Sequence, residues 1–161
     1  MKMLHRTLRV LSAIIIAICS IVALGDLAGA ASSTTKVKVT RTIDGDTIVV
    51  NGTEKVRLLG VDTPETVSPW KPTECGGPEA SRYTKQALLG KTVTITKVGH
   101  DKYGRTLAYV DIDGKDHGLR LIKAGLAREY TYKGQWYSKF PKYKYWERRA
   151  ILTAEGIWGN C

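Results

Sequence analysis

Hydrophobic residues follow two rhythms along this chain. From Val10 to Leu24 they run together, whereas from Val37 onward they alternate with polar residues at the period of two that a half-buried strand imposes. The runs VKVTRTI, DTIVV and KVRLL are punctuated by Asp44-Gly45 and Asn51-Gly52. Such pairs close tight turns between β-branched runs, so residues 37–59 are expected to form a three-stranded meander. A loop rich in Pro and Gly follows, from Thr63 to Pro78, and GPEASRYTKQALLG then predicts a helix entered at Pro78 and ended by Gly90. KTVTITKV and TLAYVDID alternate as a fourth and a fifth strand around the loop GHDKYGR. LRLIKA predicts a short helix before Gly125, and Lys142 to Ala154 a last one, with Tyr145, Trp146 and Ile151 on the core and a solvated basic face. Five short strands with a helix after the third fit a mainly β fold with α elements: a five-stranded closed barrel of the oligonucleotide-binding (OB) type with three helices.

The first apolar run belongs to a different object. Lys2, Arg6 and Arg9 precede it and Ala28-Gly29-Ala30 follows, the pattern of a secretory signal peptide over residues 1–30 with cleavage near Ala30. The run is short for a full membrane span, and the alternative is an uncleaved anchor at residues 10–24. On the signal reading the protein is secreted or extracytoplasmic and keeps no stable membrane association after cleavage. Residues 31–36 are then a flexible mature N-terminus, and 37–161 a single folded domain.

Charge and cysteines narrow the partners and the compartment. A formal charge of +10 over 161 residues points to a polyanion. Beyond the signal only Cys75 and Cys161 remain. In an exported chain they most simply pair, a bridge of about 4–5 kcal/mol in the chain-entropy model; the alternative is two free thiols. They are too few for a Cys-only zinc site.

The candidate chemistry lies in acids and arginines. Asp44-Gly45-Asp46 reads first as a turn. Asp62-Thr63-Pro64-Glu65 has the spacing of a capping box, but Pro69 and Pro72 follow at once and no helical run begins there, which leaves the acids in a loop at a strand end. A curled meander brings Asp46 and Asp62 together, and two carboxylates with Thr63 make a hard oxygen site for Ca²⁺ or Mg²⁺. Glu65 is left over as a general base. Arg57 in its strand and Arg105 in its loop either face solvent or clamp a phosphodiester. Tyr103, Tyr130 and Tyr132, interleaved with Lys102, Arg128 and Lys133, either pack the barrel rim or stack on bases.

IDGDT at 43–47, RLLGVDTPE at 57–65, GPEAS at 77–81, DKYGRTLAYV at 101–110 and GLA at 125–127 occur in order across nearly the whole mature chain. In these motifs the chain resembles the staphylococcal nuclease-like (thermonuclease) family, in its exported two-cysteine form. The resemblance implies the same barrel with three helices, and Ca²⁺-dependent hydrolysis of DNA and RNA to 3′-phosphate ends. It implies Asp46, Asp62 and Thr63 as metal ligands with Asp44 in the outer shell, and Arg57, Glu65 and Arg105 as catalytic residues. Lys102, Tyr103, Tyr130 and Tyr132 match substrate contacts. Expected partners are DNA and RNA, single strands preferred, with the domain acting as a monomer; the alternative is an OB-fold module that binds nucleic acid without cutting it. Gly118 and the stretch 133–146 depart from the family pattern.

Overall fold

A computed structural model describes residues 33–66 and 72–161. The expected signal segment and its cleavage position lie outside them. Strands β1 (Ser33–Thr42), β2 (Thr47–Val50) and β3 (Glu54–Leu58) form the meander, followed by the two-residue β4 (Val61–Asp62) and helix α1 (Gly77–Leu88). Then come β5 (Thr92–His100), β6 (Thr106–Ile112), the short β7 (Lys115–Asp116), α2 (His117–Lys123) and β8 (Arg128–Glu129). A 3₁₀ turn at Tyr132–Gly134 leads to α3 (Phe140–Leu152) and the one-turn α4 (Ile157–Asn160). The order β3-β2-β1-β5-β6 is antiparallel throughout, and a parallel pairing of Val56–Leu58 with Thr106–Ala108 joins β3 to β6 and closes a five-stranded barrel.

Closure has local causes. Register shifts in β1 between Val39 and Arg41, and in β5 between Lys97 and Gly99, mark bulges that bend and twist the strands enough for the sheet to curl onto itself. Alternation then sends Val39, Ile48, Val56, Ile95 and Val110 into one core. Asn51 and Gly52 both have positive φ (50° and 88°), the conformation of a type I′ hairpin. The other turn differs from expectation. β1 stops at Thr42 and β2 starts at Thr47, so Asp44-Gly45-Asp46 is a wider loop in which Asp44 Oδ1 accepts the N–H groups of Asp46 (3.0 Å) and Thr47 (2.7 Å). β1 also begins at Ser33, four residues ahead of Val37, because residues 33–36 pair with β5.

α3 corrects the expected register. Its buried positions are Tyr143, Glu147 and Ala150, while Tyr145 is 57% exposed and Ile151 is exposed as well; only Trp146 of the expected three packs against the core. Polar anchors set this rotation. Asp116 caps α2 by accepting the Leu119 N–H at 3.0 Å and also takes the Tyr143 hydroxyl (3.0 Å) and Lys139 Nζ (2.8 Å). Glu147 accepts the N–H of Glu129 at 2.9 Å and pairs with Lys144 at 2.6 Å. A Cβ on Gly118 would lie 2.9 Å from the Tyr143 hydroxyl, so the two departures from the family pattern meet: the glycine leaves room for the tyrosine. Cys75 and Cys161 form a disulfide that ties the loop before α1 to the end of the chain.

Candidate active site

The loop between β1 and β2 is held from behind. A Cβ on Gly45 would stand 2.7 Å from Thr63 Cγ2 and 2.9 Å from Ala80 Cβ, so its glycine is required by space rather than by φ. Thr84 Oγ1, on α1, donates to the Gly45 carbonyl at 2.6 Å and meets His117 Nε2 at 3.0 Å. With the threonine proton spent on Gly45, the imidazole donates from Nε2, which leaves buried Nδ1 without a partner. Burial, with Arg120 adding to it, depresses His117 to a pKa of about 4, so the ring stays neutral.

This support presents Asp46, itself buried, to the end of β3. Asp46 Oδ2 accepts from Thr63 N (2.8 Å) and Thr63 Oγ1 (3.0 Å), and Oδ1 accepts from Thr47 Oγ1 (3.0 Å). Arg57, with only 12% of its side chain exposed, is not the solvent-facing strand residue its neighbours allowed. Its Nη1 lies 3.0 Å from Asp46 Oδ2 and donates to the Val61 carbonyl at 2.7 Å, and its Nη2 donates to Asp62 Oδ1 at 2.7 Å. One guanidinium therefore spans the two carboxylates that the meander was expected to bring together. Arg105 arrives from the loop before β6, oriented by Asp101 (Nε to Oδ2, 2.7 Å) and reaching Thr47 Oγ1 at 3.5 Å.

Asp44, Asp46, Arg57, Asp62, Thr63, Glu65 and Arg105 line one small cavity of about 200 Å³, together with Pro64. Burial and the neighbouring Asp46 carboxylate push Asp44 up to about 7, and burial, partly offset by Arg57, raises Asp62 as well. Among the described residues no three Asp, Glu, His or Cys side chains are grouped as a ready metal cage. The donors present, Asp46 and Asp62 carboxylates with Thr63 beside them, fit an oxygen-seeking cation that keeps water in much of its shell.

Glu65 brings a residue that the sequence reading missed. Glu74 Oε2 accepts the Glu65 N–H at 3.1 Å and Glu74 N donates to the Glu65 carbonyl at 2.9 Å, while Glu65 Oε1 accepts from Thr66 N at 2.9 Å. Glu74 immediately precedes the disulfide cysteine, so the crosslink steadies the loop that carries Glu65. Only that adjacency to Cys75 could have suggested it.

A second, larger cleft of about 700 Å³ adjoins the first, sharing Arg57, Asp62 and Arg105. Lys102, Tyr103, Tyr130 and Tyr132 all line it. The three tyrosines are exposed, not packed into the rim; Tyr130 and Tyr132 lie 6.4 Å apart between ring centroids, and Lys102 Nζ sits 4.9 Å over the Tyr103 ring.

Comparison with known proteins bears on what this arrangement is. Residues 55–160 match the family model described as staphylococcal nuclease homologue. The thermonuclease of Staphylococcus hyicus is 42% identical over 134 residues, spanning 76% of this chain and 75% of the relative. That of Staphylococcus intermedius is 46% identical over 99 residues, 58% of this chain and 59% of the relative. Endonuclease YncB of Bacillus subtilis is 38% identical over 141 residues, 76% of this chain and 67% of the relative.

Proposed function

Since this chain belongs to the staphylococcal nuclease homologue family and is a nuclease, we propose that it is an exported, Ca²⁺-dependent phosphodiesterase. It cuts DNA and RNA, single strands by preference, and leaves 3′-phosphate ends. The observation that carries this reading is that both arginines, the four acids and Thr63 line one cavity. A barrel that only bound nucleic acid would have no use for so concentrated a set.

Asp46, Asp62 and the Thr63 carbonyl would hold the ion, with Asp44 behind them. When bound, it supplies positive charge to the phosphoryl oxygens. The chain's own groups do the rest. Glu65 takes a proton from the attacking water as its oxygen bonds to phosphorus, and the P–O5′ bond breaks as the leaving oxygen is reprotonated from solvent. Arg57 and Arg105 face the charge that grows on the phosphoryl oxygens. Arg57 is already aimed: the Val61 carbonyl and two carboxylates fix its plane, so little ordering remains to be done at the moment of reaction. Lys102 and the three tyrosines hold the strand beside the scissile phosphate.

The test is a metal-by-substrate panel with end analysis. Purified protein should degrade single-stranded DNA with Ca²⁺, release 3′-phosphate termini, and stop in chelator. Persistent cutting in chelator would remove the metal from the mechanism, and 5′-phosphate ends would reverse the assignment of the broken bond.

A further inference from the structure

Among the described residues Trp136 is the largest exposed aromatic outside those already given a role, and it lines the same 700 Å³ cleft as Tyr103, Tyr130 and Tyr132. It lies between the 3₁₀ turn at Tyr132–Gly134 and helix α3. The residue is 71% exposed, yet the backbone carrying it is pinned on both sides. Before it, Gln135 N donates to the Tyr132 carbonyl at 2.9 Å. After it, Tyr137 is buried and donates its hydroxyl to the Gly60 carbonyl (3.2 Å) and to Glu129 Oε1 (3.0 Å), and Ser138 Oγ meets the Tyr109 hydroxyl at 3.2 Å. Gly60 makes this anchor possible, because a Cβ there would fall 2.5 Å from the Tyr137 ring. A large flat ring on an anchored backbone, open to solvent in a cleft that also holds Lys102 and Arg105, is a stacking surface whose backbone ordering cost is met in advance.

We propose that Trp136 is a base-stacking platform for a nucleotide flanking the one that Tyr103, Tyr130 and Tyr132 hold, so that this protein grips an unpaired polynucleotide over more than one base. The inference rests on the nuclease reading and names the extent of its substrate. The cleft lies in the upper part of the roughly 300–1,000 Å³ range that ligand sites occupy, which leaves room for a second base. Stacking tolerates any base, since each presents a π-face, but it requires that the base be unpaired.

The experiment compares wild type, Trp136→Ala and Trp136→Phe on a dithymidylate and on a single-stranded thymidylate of about ten nucleotides. The readout is the ratio of kcat/KM for the longer to the shorter substrate. Trp136→Ala should shrink that ratio roughly five- to tenfold through KM, the lower end of what one base–aromatic stack carries, and Trp136→Phe should restore most of it. A ratio unchanged by Trp136→Ala overturns the proposal, including the case in which both substrates slow together, which is what a purely structural tryptophan would give. Binding of the labelled longer strand in chelator provides the second arm. It should weaken by a similar factor in Trp136→Ala and recover in Trp136→Phe, and equal binding by all three proteins overturns the proposal. Wild type that binds but never cuts would instead defeat the nuclease reading, leaving the platform to stand or fall on the binding arm.

Discussion

The small acidic cavity and the aromatic cleft share three residues and almost nothing else. The cavity is built on the barrel: its acids and Arg57 lie in or beside β2, β3 and β4, Arg105 reaches in from the loop before β6, all are half-buried or better, and Arg57 joins Asp46 to Asp62. The cleft is lined by residues of β3, β5 and β6 together with loops; its tyrosines are exposed on loops whose backbone is anchored near Tyr130 and Tyr132 by Tyr137, Glu129 and Gly60, and at Tyr103 by Asp101. Chemistry needs tenths of an ångström, which a strand end supported by α1 supplies. Grip needs area and tolerance of different bases, which exposed rings on anchored loops supply. The difference teaches that rate and affinity should respond to different substitutions.

Arg57→Ala should give the largest effect, because it strikes the cavity twice. Loss of the guanidinium is expected to lower kcat by roughly 10²–10³, and it leaves buried Asp46 without its counter-charge at a cost of roughly 3 kcal/mol or more. Steady-state kinetics and thermal unfolding read the two separately. A variant that loses binding but keeps kcat would break the division between the regions.

Next comes Cys161→Ser. The bridge spans a sequence separation of 86, so its loss should remove about 4 kcal/mol of stability in the chain-entropy model. The loop of Glu74 and Glu65 should loosen with it. Denaturant unfolding measures the first effect, and the second should appear in kcat rather than in KM, since the cleft contains neither residue.

His117 gives the pH dependence. Its folded pKa of about 4 lies below the unfolded 6.5, so between those values the unfolded chain binds the extra proton and the folded one does not. Stability from this group is therefore present above about pH 6.5 and is lost as pH falls toward 4, by roughly 3 kcal/mol in all. His117→Gln should flatten that slope in thermal unfolding, with cutting at neutral pH altered far less than in Arg57→Ala. The smallest effect is reserved for the cleft: Tyr132→Ala should raise KM a few-fold with kcat nearly intact.

Much of the cavity was legible in the sequence because its parts are local. Asn-Gly, β-branched alternation and a run of acids at a strand end need only the meander to be brought together, and β2 pairs Thr47 with Arg57 as that meander requires. What escaped depends on contacts between distant segments. Glu74 matters only because the chain folds back on Glu65, and Thr84 only because α1 packs behind Gly45. The face of α3 was misplaced for a related reason: apolar counting favoured Tyr145 and Ile151, whereas Asp116 and the Glu129 backbone draw Tyr143 and Glu147 inward. A buried glutamate with a partner outweighs an aliphatic residue left in water, and no periodicity reveals the partner.

The most direct test of the division is Glu65→Gln, measured for cutting with Ca²⁺ and for binding of single-stranded DNA in chelator. Cutting should fall by roughly 10²-fold or more while the dissociation constant stays within about twofold, since Glu65 lines the cavity and not the cleft. Undiminished cutting, or a loss of binding that matches the loss of rate, would contradict it.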